Sequence, residues 1–102
     1  MTPDWEQVLD VERGVVVRVA FDKSRREVTD YAVVLTMVHD GRQVTVRVYD
    51  GAHGVNELHR YTRDGGKQSA ERFHDGTLGE GMRAAIEACV RGHDEMIRAW
   101  FR

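Results

Sequence analysis

The chain holds one cysteine, Cys89, so no intramolecular disulfide can form and a secreted, disulfide-stapled scaffold is not expected. No apolar run is long enough to span a bilayer. The N-terminal residues carry neither the basic nor the apolar region of a signal peptide, which makes a cytoplasmic protein with no membrane partner the expectation. An excess of one charge is lacking too: 15 Lys and Arg stand against 17 Asp and Glu, a formal net charge of -2. Such a balance argues against a broad electrostatic nucleic-acid binder, whose footprint is a strong basic excess, but leaves room for a local basic site. Phosphate-loop, dinucleotide-binding, nucleophile-elbow and zinc-finger motifs are absent, as are internal repeats, low-complexity tracts and linkers.

What is present fits one folded domain spanning residues 1–102, with 41% apolar and 31% charged residues, values far from those of a disordered chain. A core of this size must come mainly from one sheet face and one helix. Arginine supplies 13 of the 15 basic residues, and its planar guanidinium suits phosphate and carboxylate recognition; genomic composition bias gives the same count.

Hydrophobic periodicity predicts an α+β fold: an antiparallel sheet of about four to five strands packed against a C-terminal amphipathic helix, preceded by a short N-terminal helix. That first helix is expected from Thr2-Pro3-Asp4-Trp5-Glu6, where a capping residue, a first-turn proline and acids precede Trp5, Val8 and Leu9 on one face. Val15 to Asp22 and residues 28–39 alternate as strands. Asp40-Gly41 then calls for a two-residue type I′ hairpin. With His39 opposite Arg42, the turn predicts Met37 facing Val44, Leu35 facing Val46 and Val33 facing Val48 on one face. Thr36 with Thr45, Val34 with Arg47 and Ala32 with Tyr49 fall on the other. Leu58 to Thr62 and residues 67–73 read as weaker strands. From Leu78 the period becomes helical through Met82, Ala85, Ile86, Cys89, Val90, His93, Ile97, Trp100 and Phe101. Thr77 with Glu80 matches a capping box, and Glu87 with Arg91 and Asp94 with Arg98 are spaced for ion pairs.

The segment from Arg47 to Tyr61 concentrates the reactive residue types: His53 and His59, Asp50 at a strand end, Tyr49 and Tyr61, Arg47 and Arg60, around the glycine-flanked Gly51-Ala52-His53-Gly54. Metal-free RNA cleavage needs a base for the ribose 2′-hydroxyl, an acid for the leaving oxygen and positive charge on the phosphate. His53 and His59 are the candidate acid–base pair, and Asp50 is placed to orient a ring. Arg47 and Arg60 are candidate phosphate clamps, and Tyr49 and Tyr61 candidate stacking surfaces for a base. The bland alternative is a turn stabilised by Asp50 and His53, with the arginines on a solvated face. No metal site or cofactor is expected, because the histidine spacing lacks finger-type compactness and no cysteine lies nearby. His39 and His74 read as exposed polar residues, His93 as a satisfied core-edge histidine, and Cys89 as a buried structural thiol.

Tyr49-Asp50-Gly51-Ala52-His53-Gly54, followed by His59-Arg60, resembles a group of small bacterial proteins with an Arg-Tyr-Asp-x-Ala-His-Gly core and downstream histidines, which look like relatives of the TumE-type toxins of toxin–antitoxin systems. Val48 stands where that core usually has arginine, and Asn56-Glu57-Leu58-His59 holds one histidine where related sequences often have several. The resemblance covers roughly residues 13–101 and implies a toxin-module protein with RNA as substrate and an antitoxin as partner. The expectation from residues and resemblance together is a metal-independent ribonuclease. The competing expectation is a non-catalytic interaction module or homodimer that uses an exposed sheet edge or helix face, with Trp100-Phe101 as a terminal aromatic patch; a small-molecule binding module, with a pocket between a curved sheet and the helix, is the third.

Overall fold

A computed structural model describes residues 4–102. The fold is α+β, with one antiparallel sheet and a single C-terminal helix. Its elements are β1 (Trp5–Asp10), β2 (Val15–Ser24), β3 (Glu27–His39), β4 (Arg42–Asp50), β5 (Asn56–Thr62), β6 (Gly66–Lys67), β7 (Glu71–His74) and α1 (Leu78–Phe101). The strands run in the order β1-β2-β3-β4-β5, and β6 and β7 both pair with β5. No helix among the described residues is long and apolar enough to cross a membrane.

Seven strands exceed the four to five expected, and the first of them replaces the expected N-terminal helix. The expected cap and first turn, Thr2 and Pro3, lie outside the described residues; Trp5 to Asp10 are extended and pair with β2. Trp5, Val8 and Leu9 suit a helix face, but the same residues also fit an edge strand. Pairing Trp5 with Val19 and Gln7 with Val17, together with a 2.9 Å ion pair from Arg18 Nε to Glu6 Oε2, decides between them.

The Asp40-Gly41 hairpin forms as expected, with positive φ at both residues (50° and 73°). His39 faces Arg42, Met37 faces Val44 and Thr36 faces Thr45, as the turn dictates. Beyond that point the register slips. A bulge sets Arg47 opposite Leu35, Val48 opposite Val34, Tyr49 opposite Val33 and Asp50 opposite Ala32. One extra residue in β4 exchanges the faces of everything after it. Tyr49 therefore turns into the core, Val48 turns out, and Asp50 arrives on the face away from the helix.

The core lies between the sheet and α1. Val15, Val17, Val19, Tyr31, Val33, Leu35 and Tyr49 from the sheet meet Ala85, Cys89, Met96, Ile97 and Trp100 from the helix. Full burial of each large side chain is worth about 1.5–3 kcal/mol. Trp100 is 5% exposed, so the expected terminal aromatic patch reduces to Phe101, at 39%. Both rings meet His39 edge-on at 5.2 Å, which ties the helix end to the β3–β4 turn. The capping box forms: Thr77 Oγ1 accepts from the Glu80 amide at 3.1 Å, and the Thr77 amide donates to Glu80 Oε1 at 2.9 Å. Arg91 pairs with Glu87, whereas Asp94 pairs with Arg13 and Arg98 with Glu95 instead of with each other.

Candidate functional site

Two antiparallel pairings build the site. Asp50 faces Glu57 and Val48 faces His59 across β4 and β5. Residues two apart on a strand share a face, so Glu57 and His59 both stand beside Asp50 on the side opposite the helix. His59 Nε2 lies 3.5 Å from Asp50 Oδ2. The His59 side chain is 12% exposed, and its Nδ1 is buried with no hydrogen-bond partner. Asp50 also accepts the Ala52 amide through Oδ1 at 3.2 Å, so it both shapes the turn and faces the ring.

The loop from Gly51 to Val55 carries His53 outward, with its side chain 76% exposed. Nδ1 of that ring lies 2.7 Å from Glu57 Oε1, and this hydrogen bond is the main cause that raises the His53 pKa above its ordinary value, with the charge of Glu57 adding to it. Glu57, itself only 17% exposed, thus touches one histidine and neighbours the other.

Both ends of the loop are fixed by close packing. The Gly51 amide donates to the Tyr31 carbonyl at 3.1 Å, and a Cβ at Gly51 would sit 3.0 Å from Leu78 Cδ2 and 3.1 Å from the Tyr31 ring. At the other end Asn56 is buried. Its Oδ1 accepts from the Tyr31 hydroxyl at 2.7 Å, and its Nδ2 donates to the carbonyls of Gly76 (3.0 Å) and Thr77 (3.1 Å). A rigid frame therefore holds an exposed histidine.

Asp50, Glu57 and His59 each offer one donor atom within 4.8 Å of the others. Two carboxylate oxygens and an imidazole nitrogen form a three-donor set of a kind that divalent transition ions accept. The spacing along the sequence hides this set, because the third donor comes from strand register.

A model of the domain of unknown function DUF7718 matches residues 2–101. The chain belongs to this family. No characterised protein and no solved structure matches it.

In this DUF7718 domain the other expected site residues divide between the two faces of the sheet. Arg47 and Arg60 are register partners, one position removed from the pairing of Val48 with His59, and so stand on the helix side. Arg47 donates to the Tyr49 hydroxyl at 3.5 Å, and Arg60 pairs with Glu71 at 2.9 Å. Tyr49 is 3% exposed and packs edge-on against Phe73 at 4.9 Å, which leaves no free ring face for a stacking base. Tyr61 is half-buried against the edge of the core. Asp50, His53 and His59 do share one corner of the DUF7718 sheet.

Two residues of that corner were missed. Glu57 had a readable signal, since it lies two positions before His59 in a strand. Arg72 had none: it stands opposite Glu57 only because β7 pairs with β5. It is exposed and forms no ion pair with a carboxylate among the described residues. Of the remaining histidines, His93 Nδ1 sits 3.2 Å from the carbonyls of Cys89 and Val90, a local contact on the helix.

Proposed function

We propose that this DUF7718 chain cleaves RNA by metal-independent acid–base chemistry at His53 and His59, as the toxin of a bacterial toxin–antitoxin pair. The observation that carries the reading is a pair of imidazoles at one sheet corner, each set against its own carboxylate: His53 against Glu57 and His59 against Asp50. Carboxylate-backed imidazoles are suited to hold and move protons near neutral pH.

The roles follow from the environments. Glu57 favours the protonated form of His53, which makes the exposed His53 the acid that donates to the departing 5′ oxygen. His59 is the base: Nε2 takes the proton of a ribose 2′-hydroxyl, and Asp50 Oδ2, 3.5 Å from that nitrogen, stabilises the imidazolium that forms. Attack of the 2′ oxygen on phosphorus then breaks the bond to the 5′ oxygen and leaves a 2′,3′-cyclic phosphate. Arg72, beside Glu57, replaces Arg47 and Arg60 as the cation for the developing charge. On this reading the chain acts in the cytoplasm, and an antitoxin protein restrains it.

The three-donor set at Asp50, Glu57 and His59 favours a second reading, in which the same corner binds a divalent cation that polarises the phosphate. One experiment separates the two. Purified wild type, His53→Ala and His59→Ala are incubated with bacterial RNA in excess chelator. Cleavage by wild type to cyclic-phosphate ends, lost in both variants, supports the histidine pair. Cleavage only after a divalent ion is restored supports the second reading, and the same cleavage by all three proteins rejects both.

A further inference from the structure

Beside the histidine loop, a cavity of about 500 Å³ opens between the β2–β3 hairpin and the start of α1. Lys23, Arg26 and Arg83 line it, against one acid, Glu27. None of the three cations forms an ion pair with a carboxylate among the described residues. A chain with net charge -2 has therefore gathered three cations against one acid at one concave place, with Glu80 near enough to Arg83 to feel its charge. The walls behind the cations are apolar, from Phe21, Val28 and Met82. The hairpin turn beside the lining carries Arg25, which holds φ at +57°, a backbone position at which glycine or asparagine is ordinary and arginine costs about 1 kcal/mol or more.

The cavity and the histidine loop share their walls. Leu78, which lines the cavity, is the side chain that Gly51 packs against at the start of the loop. Thr77, also in the lining, gives its carbonyl to Asn56 at the end of the loop. The cavity lies on the helix side of the sheet and the histidine corner on the other, with Leu78 and Thr77 between them.

We propose that this cavity binds the phosphates and a base of a single-stranded RNA next to the bond that His53 and His59 address. The inference rests on the RNA reading of the histidine corner, but concerns binding alone. Lys23, Arg26 and Arg83 neutralise backbone phosphates, and Phe21 with its aliphatic neighbours covers a base face. Specificity for single strands follows, since a concavity of this volume admits an unpaired nucleotide but not a duplex.

The test is fluorescence anisotropy of a labelled oligoribonucleotide with the full chain in a His53→Ala background, over a salt series. Neutralising the cavity with Lys23→Gln, Arg26→Gln and Arg83→Gln together is expected to weaken binding about tenfold or more and to flatten the log–log salt slope by about 2. A charge-matched control, Arg42→Gln with Arg91→Gln and Arg98→Gln, removes three cations elsewhere and is expected to change binding far less. Equal losses in both triple variants overturn the proposal, as does wild-type-like binding in the cavity variant. AMP and inorganic phosphate serve as competitors: displacement of RNA only at concentrations far above the oligonucleotide's own supports a strand site, whereas tight AMP binding with no RNA binding overturns it. Should the triple variant fail to fold, Arg26→Gln alone, at an exposed turn, gives the same comparison. The readout needs no turnover, so RNA bound but never cleaved sinks the catalytic reading and leaves the cavity standing. RNA cleaved with no dependence of binding on the cavity does the reverse.

Discussion

Tyr31 donates its hydroxyl to Asn56 Oδ1 across 2.7 Å, and both side chains are buried. The bond joins the start of β3 to the far end of the histidine loop, and Asn56 passes the connection on to the helix cap through the Thr77 carbonyl. Burial pushes the Tyr31 phenol well above its ordinary pKa, so it remains a donor throughout the accessible pH range. Tyr31→Phe leaves a buried oxygen without its donor and is expected to cost about 1–3 kcal/mol in urea unfolding. Asn56→Ala should cost at least as much, because it strips partners from Tyr31, Gly76 and Thr77 together.

The same asparagine dictates what residue 81 can be. A Cβ at Gly81 would stand 1.8 Å from Asn56 Oδ1, whereas one at Gly79 meets nothing closer than 3.7 Å. Gly81→Ala is therefore expected to displace Asn56 and lower the melting temperature sharply. Gly79→Ala, in the same helix turn, should be neutral or raise stability by up to about 1 kcal/mol through helix propensity. Thermal unfolding of the two variants side by side checks the contrast.

Glu57 favours the protonated form of His53. The hydrogen bond to Glu57 raises the folded-state pKa above the unfolded value. Its contribution to stability is thus full below the unfolded pKa and fades as pH rises through the folded one. Glu57→Gln should return the His53 titration toward its ordinary midpoint, read by NMR of the ring protons. If His53 is the acid, the alkaline limb of the cleavage profile should move to lower pH in that variant. A titration unchanged in Glu57→Gln would break the link.

Cys89 is fully buried against the sheet, and burial pushes its thiol up to about 12, with the nearby Arg47 charge opposing the shift. The thiolate is the reactive form, so an aromatic disulfide reagent should leave Cys89 untouched in the native protein at pH 8 and label it fully in denaturant. Rapid labelling of the folded chain would contradict this packing.

The parts of the fold written in local pattern were legible in the sequence: strands at β2 and β3, the Asp40-Gly41 hairpin and its first four cross-strand pairs, the Thr77–Glu80 cap and the helix. The parts decided by distant partners were not. Trp5 to Asp10 fit two periodicities, and β2 chose between them. Nothing in an alternating strand announces a bulge, so uninterrupted alternation puts Tyr49 on the outer face and Arg47 on the side of the histidines. In the candidate site, Asp50, His53 and His59 stood out because a glycine-flanked loop separates them. Glu57 needed the strand period to be followed one step further, and Arg72 needed the pairing of β7.

The bulge in β4 gives that strand two reading frames. From Arg42 to Thr45 the odd and even positions follow the hairpin; from Arg47 to Asp50 they follow a frame displaced by one. Point substitutions on either side act one residue at a time, but loss of the bulge would act on a whole segment. With the hairpin frame running on through β4, Tyr49 would fall opposite Ala32 and turn out to water, and the Asp50 carboxylate would turn in toward the apolar layer. Deleting Val46 would do the opposite: Arg47 to Asp50 would keep their present partners in one continuous ladder, with the acidic corner still facing out.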